Sequence, residues 1–174
     1  MRLTTPLRLL RWLATLALLC GAAQAQAACT ALLGCSCNAS VATLSFGTVN
    51  PLSGTASTTA GTVQVSCGGL ASIGVPVKVD FSTGGSNSYV TRKLTNIANS
   101  AYTLNYNLFI DNTYQTVWGN GTGGTQSVSG NIALDVLGLA PPLSMSIYAR
   151  IPSGQNTTPP GTYTDTITVT VTYQ

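Results

Sequence analysis

The chain has 174 residues, a formal charge of +3 and only 6% charged residues, with no histidine and no glutamate. Three of its seven cations are Arg2, Arg8 and Arg11; beyond residue 27, Lys78, Arg92, Lys93 and Arg150 balance Asp80, Asp111, Asp135 and Asp165. That balance excludes charge-driven binding to nucleic acid, which needs clustered cations, and the missing histidine excludes Ser-His-Asp and Cys-His catalysis.

The first element is a leader. Arg2, Arg8 and Arg11 precede the apolar run Trp12 to Leu19, and small residues follow from Gly21 to Ala28. This is the pattern of a secretory signal peptide. Ala25 and Ala27 fill the small-residue positions before a cut after Ala27, with Ala25 the second choice. The run is too short to cross a hydrocarbon core of about 30 Å, so the chain is not expected to be an integral membrane protein. Leu19 stands where a lipoprotein site wants a small residue, so Cys20 is discarded with residues 1–27. Residues 28–174 then form one domain.

Cys29, Cys35, Cys37 and Cys67 remain. An even number in an exported chain points to disulfides, and four cysteines allow three connectivities. The favoured set is Cys37–Cys67 between early strands and Cys29–Cys35 as a small local loop. Zinc sites pair cysteines at other spacings, often with histidine, so no metal and no cofactor is expected.

From here period-two alternation recurs between turns rich in Gly, Asn, Pro and Ser, which argues half-buried strands. Leu44 and Phe46 mark a first strand before the turn at Asn50-Pro51. Val63, Val65 and Cys67 form the next inward set, then Val75, Val77, Val79 and Phe81. Pro76 interrupts that strand's donors and predicts an edge or bulge. Gly84 to Asn87 is a turn, and the adjacent Arg92 and Lys93 are expected in solvent. Tyr102, Leu104, Tyr106, Leu108 and Ile110 face inward, with Thr103, Asn105 and Asn107 outward. Val128, Ile132, Leu134 and Val136 follow, interrupted by Gly130. Leu143, Met145, Ile147 and Ile151 come next. Ile167, Val169, Val171 and Tyr173 alternate with four threonines in the cleanest strand. The class is all-β, a β-sandwich with Greek-key connections of about seven strands; a small barrel is the competing architecture.

Catalytic equipment is sparse. Acid–base pairs would have to come from the four aspartates, which stand far apart in sequence. Gly119 to Thr125 is glycine-rich but lacks the lysine and helix of a phosphate loop. Tyr89, Tyr114, Trp118 and Tyr148 could build an aromatic platform for a sugar, with Trp118 as a glycan contact. Packing is the commoner use of such rings, and Trp118 is expected to be structural.

The ordered set Leu44-Ser45-Phe46-Gly47, Asn50-Pro51, Gly61 to Cys67, Arg92-Lys93-Leu94, Leu104 to Phe109 with Asp111, Trp118 to Gly121, Tyr148 to Pro152 and Gly161 to Thr166 resembles the spore coat protein U domain, shared with subunits of archaic chaperone–usher pili. The resemblance implies an immunoglobulin-like sandwich lacking one strand, and a structural rather than enzymatic role. It implies a periplasmic chaperone, an outer-membrane usher and other pilus subunits as partners, joined by β-strand addition. It makes Ile167, Val169, Val171 and Tyr173 the strand that borders the acceptor groove and meets the chaperone. Ala28 to Ser36, with Gly34 and two cysteines, is a poor donor arm. A tip or adaptor subunit is therefore expected, and a stand-alone carbohydrate-binding adhesin is the alternative.

Overall fold

A computed structural model of the protein describes residues 36–68, 74–133 and 141–173. The leader, the Cys29–Cys35 bridge, Leu134, Asp135 and Val136 lie outside the described residues. Among the described residues nine strands follow in order: β1 (Ser36–Val41), β2 (Ser57–Gly68), β3 (Gly74–Phe81), β4 (Arg92–Asn96), β5 (Thr103–Phe109), β6 (Val128–Ala133), β7 (Leu143–Ile151), β8 (Tyr163–Thr164) and β9 (Val169–Tyr173). They form a six-stranded sheet, β1-β2-β7-β5-β4-β8, and a three-stranded sheet, β6-β3-β9. Every ladder between these strands is antiparallel. Two open sheets over one core make a curled sandwich rather than a barrel.

Alternation explains the layers. Successive side chains of a strand point to opposite faces. Val63, Val65 and Cys67 of β2 therefore meet Val75, Val77, Val79 and Phe81 of β3 in a single buried cluster. Leu104, Tyr106 and Leu108 of β5 and Met145, Ile147, Ala149 and Ile151 of β7 complete it. Each fully buried valine or leucine adds about 1.5–3 kcal/mol of transfer free energy. Gly130 breaks the β6 series because Leu143 lies on it: a Cβ there would sit 2.5 Å from Leu143 Cδ2. The favoured bridge is present, with Cys37 and Cys67 directly opposite in the β1–β2 ladder and joined by a disulfide.

Several expectations are corrected. The first strand is Ser36–Val41, not the Leu44–Phe46 stretch, because β1 takes the free edge of β2 and leaves residues 43–49 outside any ladder. Pro76 lies in β3, the middle strand of its sheet, but in the stretch that β9 does not reach, so the expected edge is met locally. It is tolerated because pairing with β9 runs from Val77 to Phe81, one residue beyond it. Tyr102 is exposed in the bend before β5 instead of inward. The final alternating run is preceded by a short strand that the alternation did not mark. Tyr163–Thr164 joins β4 in the large sheet, and Val169–Tyr173 joins β3 in the small one.

Asp165 makes that switch. Its Oδ2 accepts from the Tyr106 hydroxyl at 2.7 Å, and its Oδ1 accepts from the backbone N–H of Gly85 at 2.9 Å and of Thr166 at 2.8 Å. Burial, and then this bond to Asp165, push the Tyr106 hydroxyl far above the ordinary tyrosine range. Tyr106 thus stays a neutral donor that holds the crossover to the core.

Arg92 overturns the expectation of a solvated pair. It is fully buried on β4, while Lys93 is exposed. Its Nε and Nη2 donate to the Ser82 carbonyl at 3.1 and 2.8 Å, Nη2 also to the Trp118 carbonyl at 2.8 Å, and Nη1 to Asn107 Oδ1 at 2.6 Å. Asn107, expected outward, is buried by this bond and by donating to the Tyr89 and Val90 carbonyls. Desolvation lowers the Arg92 pKa; Tyr106, Tyr89 and Asp165 oppose the shift.

Candidate functional site: an open apolar groove

The small sheet ends at β9. One edge of β9 pairs with β3, Val79 opposite Val171 and Phe81 opposite Val169; its other edge carries no strand among the described residues. The partners on β3 are buried, whereas Ile167, Val169 and Val171 are half-buried and Tyr173 is 37% exposed. The inward face of the sandwich is therefore incompletely covered along this strand.

A second row of apolar side chains is equally uncovered. Leu44, Phe46 and Val49 pack on the same core but remain half-exposed. Leu44 rests on β2 at Gly61, where a Cβ would stand 2.7 Å from Leu44 Cδ2. Phe46 meets Tyr106 edge-to-face at 6.3 Å. Tyr106 also holds Asp165, so the segment of Phe46 and the lead-in to β9 converge on one residue. Among the described residues no backbone–backbone hydrogen bond ties 43–49 to a neighbour; the Gly47 N–H reaches only the Ser45 hydroxyl. Val41 completes the picture: it is 43% exposed although its partner Val63 is fully buried. Backbone with free donors and acceptors beside apolar side chains is what an added strand can pair with.

The predicted residues divide cleanly. Val169, Val171 and Tyr173 stand on the edge strand β9, with Ile167 just before it. Leu44, Phe46 and Val49 pack on the same core; the alternation of Leu44 and Phe46 was legible, but it marks an unpaired segment instead of a strand, and Val49 lies off that period. Trp118 is removed as a glycan contact. It is fully buried, its Nε1 donates to the Val79 carbonyl at 3.0 Å, and Phe81 stacks on its ring at 4.3 Å. It joins the two sheets, as the structural expectation held.

The described aspartates do not form a shared site. Asp80 pairs with Lys78 at 3.0 Å, and Asp165 serves the crossover. Asp111 closes the turn after β5. Its oxygens accept from the Thr113 hydroxyl and from the N–H groups of Thr113, Gln115 and Thr116. The Thr113 hydroxyl above all, helped by these N–H groups, holds its pKa well below the ordinary carboxylate range. A depressed folded-state pKa stabilises above the unfolded value and is lost as pH falls through the folded one. Amide exchange should therefore show Gln115 and Thr116 still protected near pH 3.8, the ordinary value, and losing protection only in stronger acid. Asp111→Asn should remove that pH dependence; protection lost already above pH 4 would contradict it.

Comparison with known proteins places this geometry. The family pattern described as the Spore Coat Protein U domain matches residues 21–170. Protein U of Myxococcus xanthus is 34% identical over 143 residues, covering 75% of this chain and 72% of that protein. Among solved structures, the chain is similar to one in the chaperone–tip adhesion subunit pre-assembly complex of archaic chaperone–usher Csu pili of Acinetobacter baumannii. The TM-score is 0.51 at 22% identity, over 79% of this chain and 39% of that one. A chaperone–tip adhesin complex of CFA/I fimbriae biogenesis gives a TM-score of 0.50 at 16% identity, over 78% and 40%. The chain thus spans about two fifths of the structural neighbours' length, and the likeness to them is one of fold.

Proposed function

The chain belongs to the Spore Coat Protein U domain family, and from that premise we propose that it is a non-enzymatic subunit of a surface pilus or coat, assembled by donation of a β-strand into its open groove. The carrying observation is the pair of half-exposed apolar rows, Leu44/Phe46/Val49 and Ile167/Val169/Val171, over one core. In this reading the leader exports the chain, and a periplasmic chaperone occupies the groove in transit. An outer-membrane usher then exchanges the chaperone for the strand of a neighbouring subunit. The role is that of a tip or adaptor. β1 is spent on its own β2 and locked there by Cys37–Cys67, and the Ala28 to Ser36 stretch before it is a poor donor.

The test is complementation by peptides. A lysine-capped peptide alternating valine and threonine should raise the thermal midpoint of the mature protein by about 5–10 °C at a hundredfold excess over Kd. Val171→Asp should abolish that rise, since it puts a charge where the donor's apolar face must dock. A peptide of Ala28 to Ala39 should give no rise. No response to the alternating peptide would sink the open groove; a response to the chain's own peptide would overturn the tip or adaptor role.

A further inference from the structure

The outer face of the six-stranded sheet is mostly small and polar. On β7 the outward series runs Ser144, Ser146, Tyr148, Arg150. Tyr148 stands opposite Phe109 of β5 on one side and the small Ala60 of β2 on the other. Arg150 stands opposite Thr58, one position along the same face. Tyr114, from the turn after β5, packs edge-to-face on Phe109 with ring centroids 5.6 Å apart. The Arg150 guanidinium lies over the Tyr114 ring, 5.5 Å from its centroid. Tyr114, Tyr148 and Phe109 are half-buried; Arg150 is exposed and makes no salt bridge among the described residues.

Two features of this patch are not explained by packing. Tyr114 has φ = +58°, a left-handed backbone that glycine or asparagine adopts at lower cost. That cost holds a ring which is not in the core. Arg150 is also set apart from the other described cations of this neutral domain: Lys78 is ion-paired, Arg92 is buried, and Lys93 is exposed on another strand. Arg92 lies over the Tyr89 ring inside the fold, so Arg150 is the one exposed cation among them stacked on a ring.

We propose that Tyr114, Tyr148 and Arg150 form a binding site for a saccharide that carries a carboxylate. A planar guanidinium pairs two-pronged with a carboxylate, and stacking on Tyr114 holds its fork in place so that less side-chain entropy is lost on binding. Tyr148 offers an apolar ring surface to the C–H face of a pyranose, with small Ala60 leaving that flank low. The hydroxyls of Thr58 and Ser146, outward on neighbouring positions, suit the sugar's own hydroxyls. The Asp111 carboxylate in the adjacent turn has both oxygens engaged by Thr113, Gln115 and Thr116.

The test is titration of the mature protein, followed by NMR or calorimetry, with trigalacturonate, neutral galactotriose and triglutamate. Trigalacturonate should bind saturably and more weakly as salt rises. Galactotriose and triglutamate should each bind about tenfold more weakly or not at all, having lost the charge-assisted pair or the stacked ring. Arg150→Gln should cost a similar factor. Tyr114→Asn keeps the left-handed turn, so it should lose binding while the thermal midpoint holds or rises. Val171→Asp, on the groove face, should leave binding unchanged, which separates this site from the strand-acceptor reading. No saturable binding of trigalacturonate, equal affinity for galactotriose or for triglutamate, or indifference to both Arg150→Gln and Tyr114→Asn would overturn the proposal.

Discussion

Arg92→Leu is expected to destabilise the domain by about 3–5 kcal/mol, against a total of about 5–15 kcal/mol for a protein of this kind. The guanidinium is the shared partner of three acceptors: the half-buried Ser82 carbonyl just after β3, and the buried Trp118 carbonyl and Asn107 amide oxygen, the last on β5. Leucine fills part of the volume and leaves the Ser82 and Trp118 carbonyls unpaired, while Asn107 Oδ1 keeps only the Leu108 N–H. Each orphaned acceptor costs about 1–3 kcal/mol, and the sites are coupled, so the sum is less than additive. Arg92→Lys should fall between, because one ammonium cannot reach across the span of the fork. Urea unfolding of the two variants beside Lys93→Ala measures this. The exposed neighbour should change stability by less than about 0.5 kcal/mol. A leucine variant within about 1 kcal/mol of the parent would show that the network carries little of the fold.

Cys37→Ser with Cys67→Ser is expected to remove about 3–4 kcal/mol, the loop-closure entropy of a bridge 30 residues apart in sequence. The loss should be uneven. β1 has one half-buried residue, Cys37 itself, and five exposed ones. Little apolar burial holds it to the sheet once the bridge is gone. Hydrogen exchange should therefore show β1 and the facing edge of β2, from Val63 to Gly68, opening before β3 or β7. Uniform loss of protection across the domain would mean that β1 is a full part of the cooperative unit.

These two sites differ in how far sequence reasoning reached them. The bridge was legible because cysteines in an exported chain have few other uses. The strands β2, β3 and β7 were legible because one face of each is fully buried, so their period of two is unbroken. Arg92 was not, since its partners are main-chain carbonyls, which leave no mark in a sequence. The short strand β8 was hidden for a related reason: the apolar alternation of Ile167 to Tyr173 stops at Asp165, and the crossover there depends on what Asp165 meets in space. For the groove, Leu44, Phe46 and the Ile167 to Tyr173 series were visible as alternation, while Val49, off that period, was not. What alternation cannot tell is whether a strand has a neighbour, and so Leu44 and Phe46 were placed in a ladder that does not form. The saccharide patch was half visible: Tyr114 and Tyr148 were candidates, but Arg150 joins them only through the β5–β7 pairing.

The crossover at Asp165 also fixes an order of events. β3, at residues 74–81, finds its second partner in β9, at residues 169–173, the last described part of the chain. During synthesis, and during any passage that starts from the N-terminus, the three-stranded layer has only two of its strands until those last residues arrive. Val77, Val79 and Phe81 must wait through nearly ninety intervening residues, a long loop to close before any contact rewards it. The sandwich is therefore a late folder by construction, closed from its C-terminal end. Losing Val169–Tyr173 should leave β3 with a bare edge and the core open on a second side.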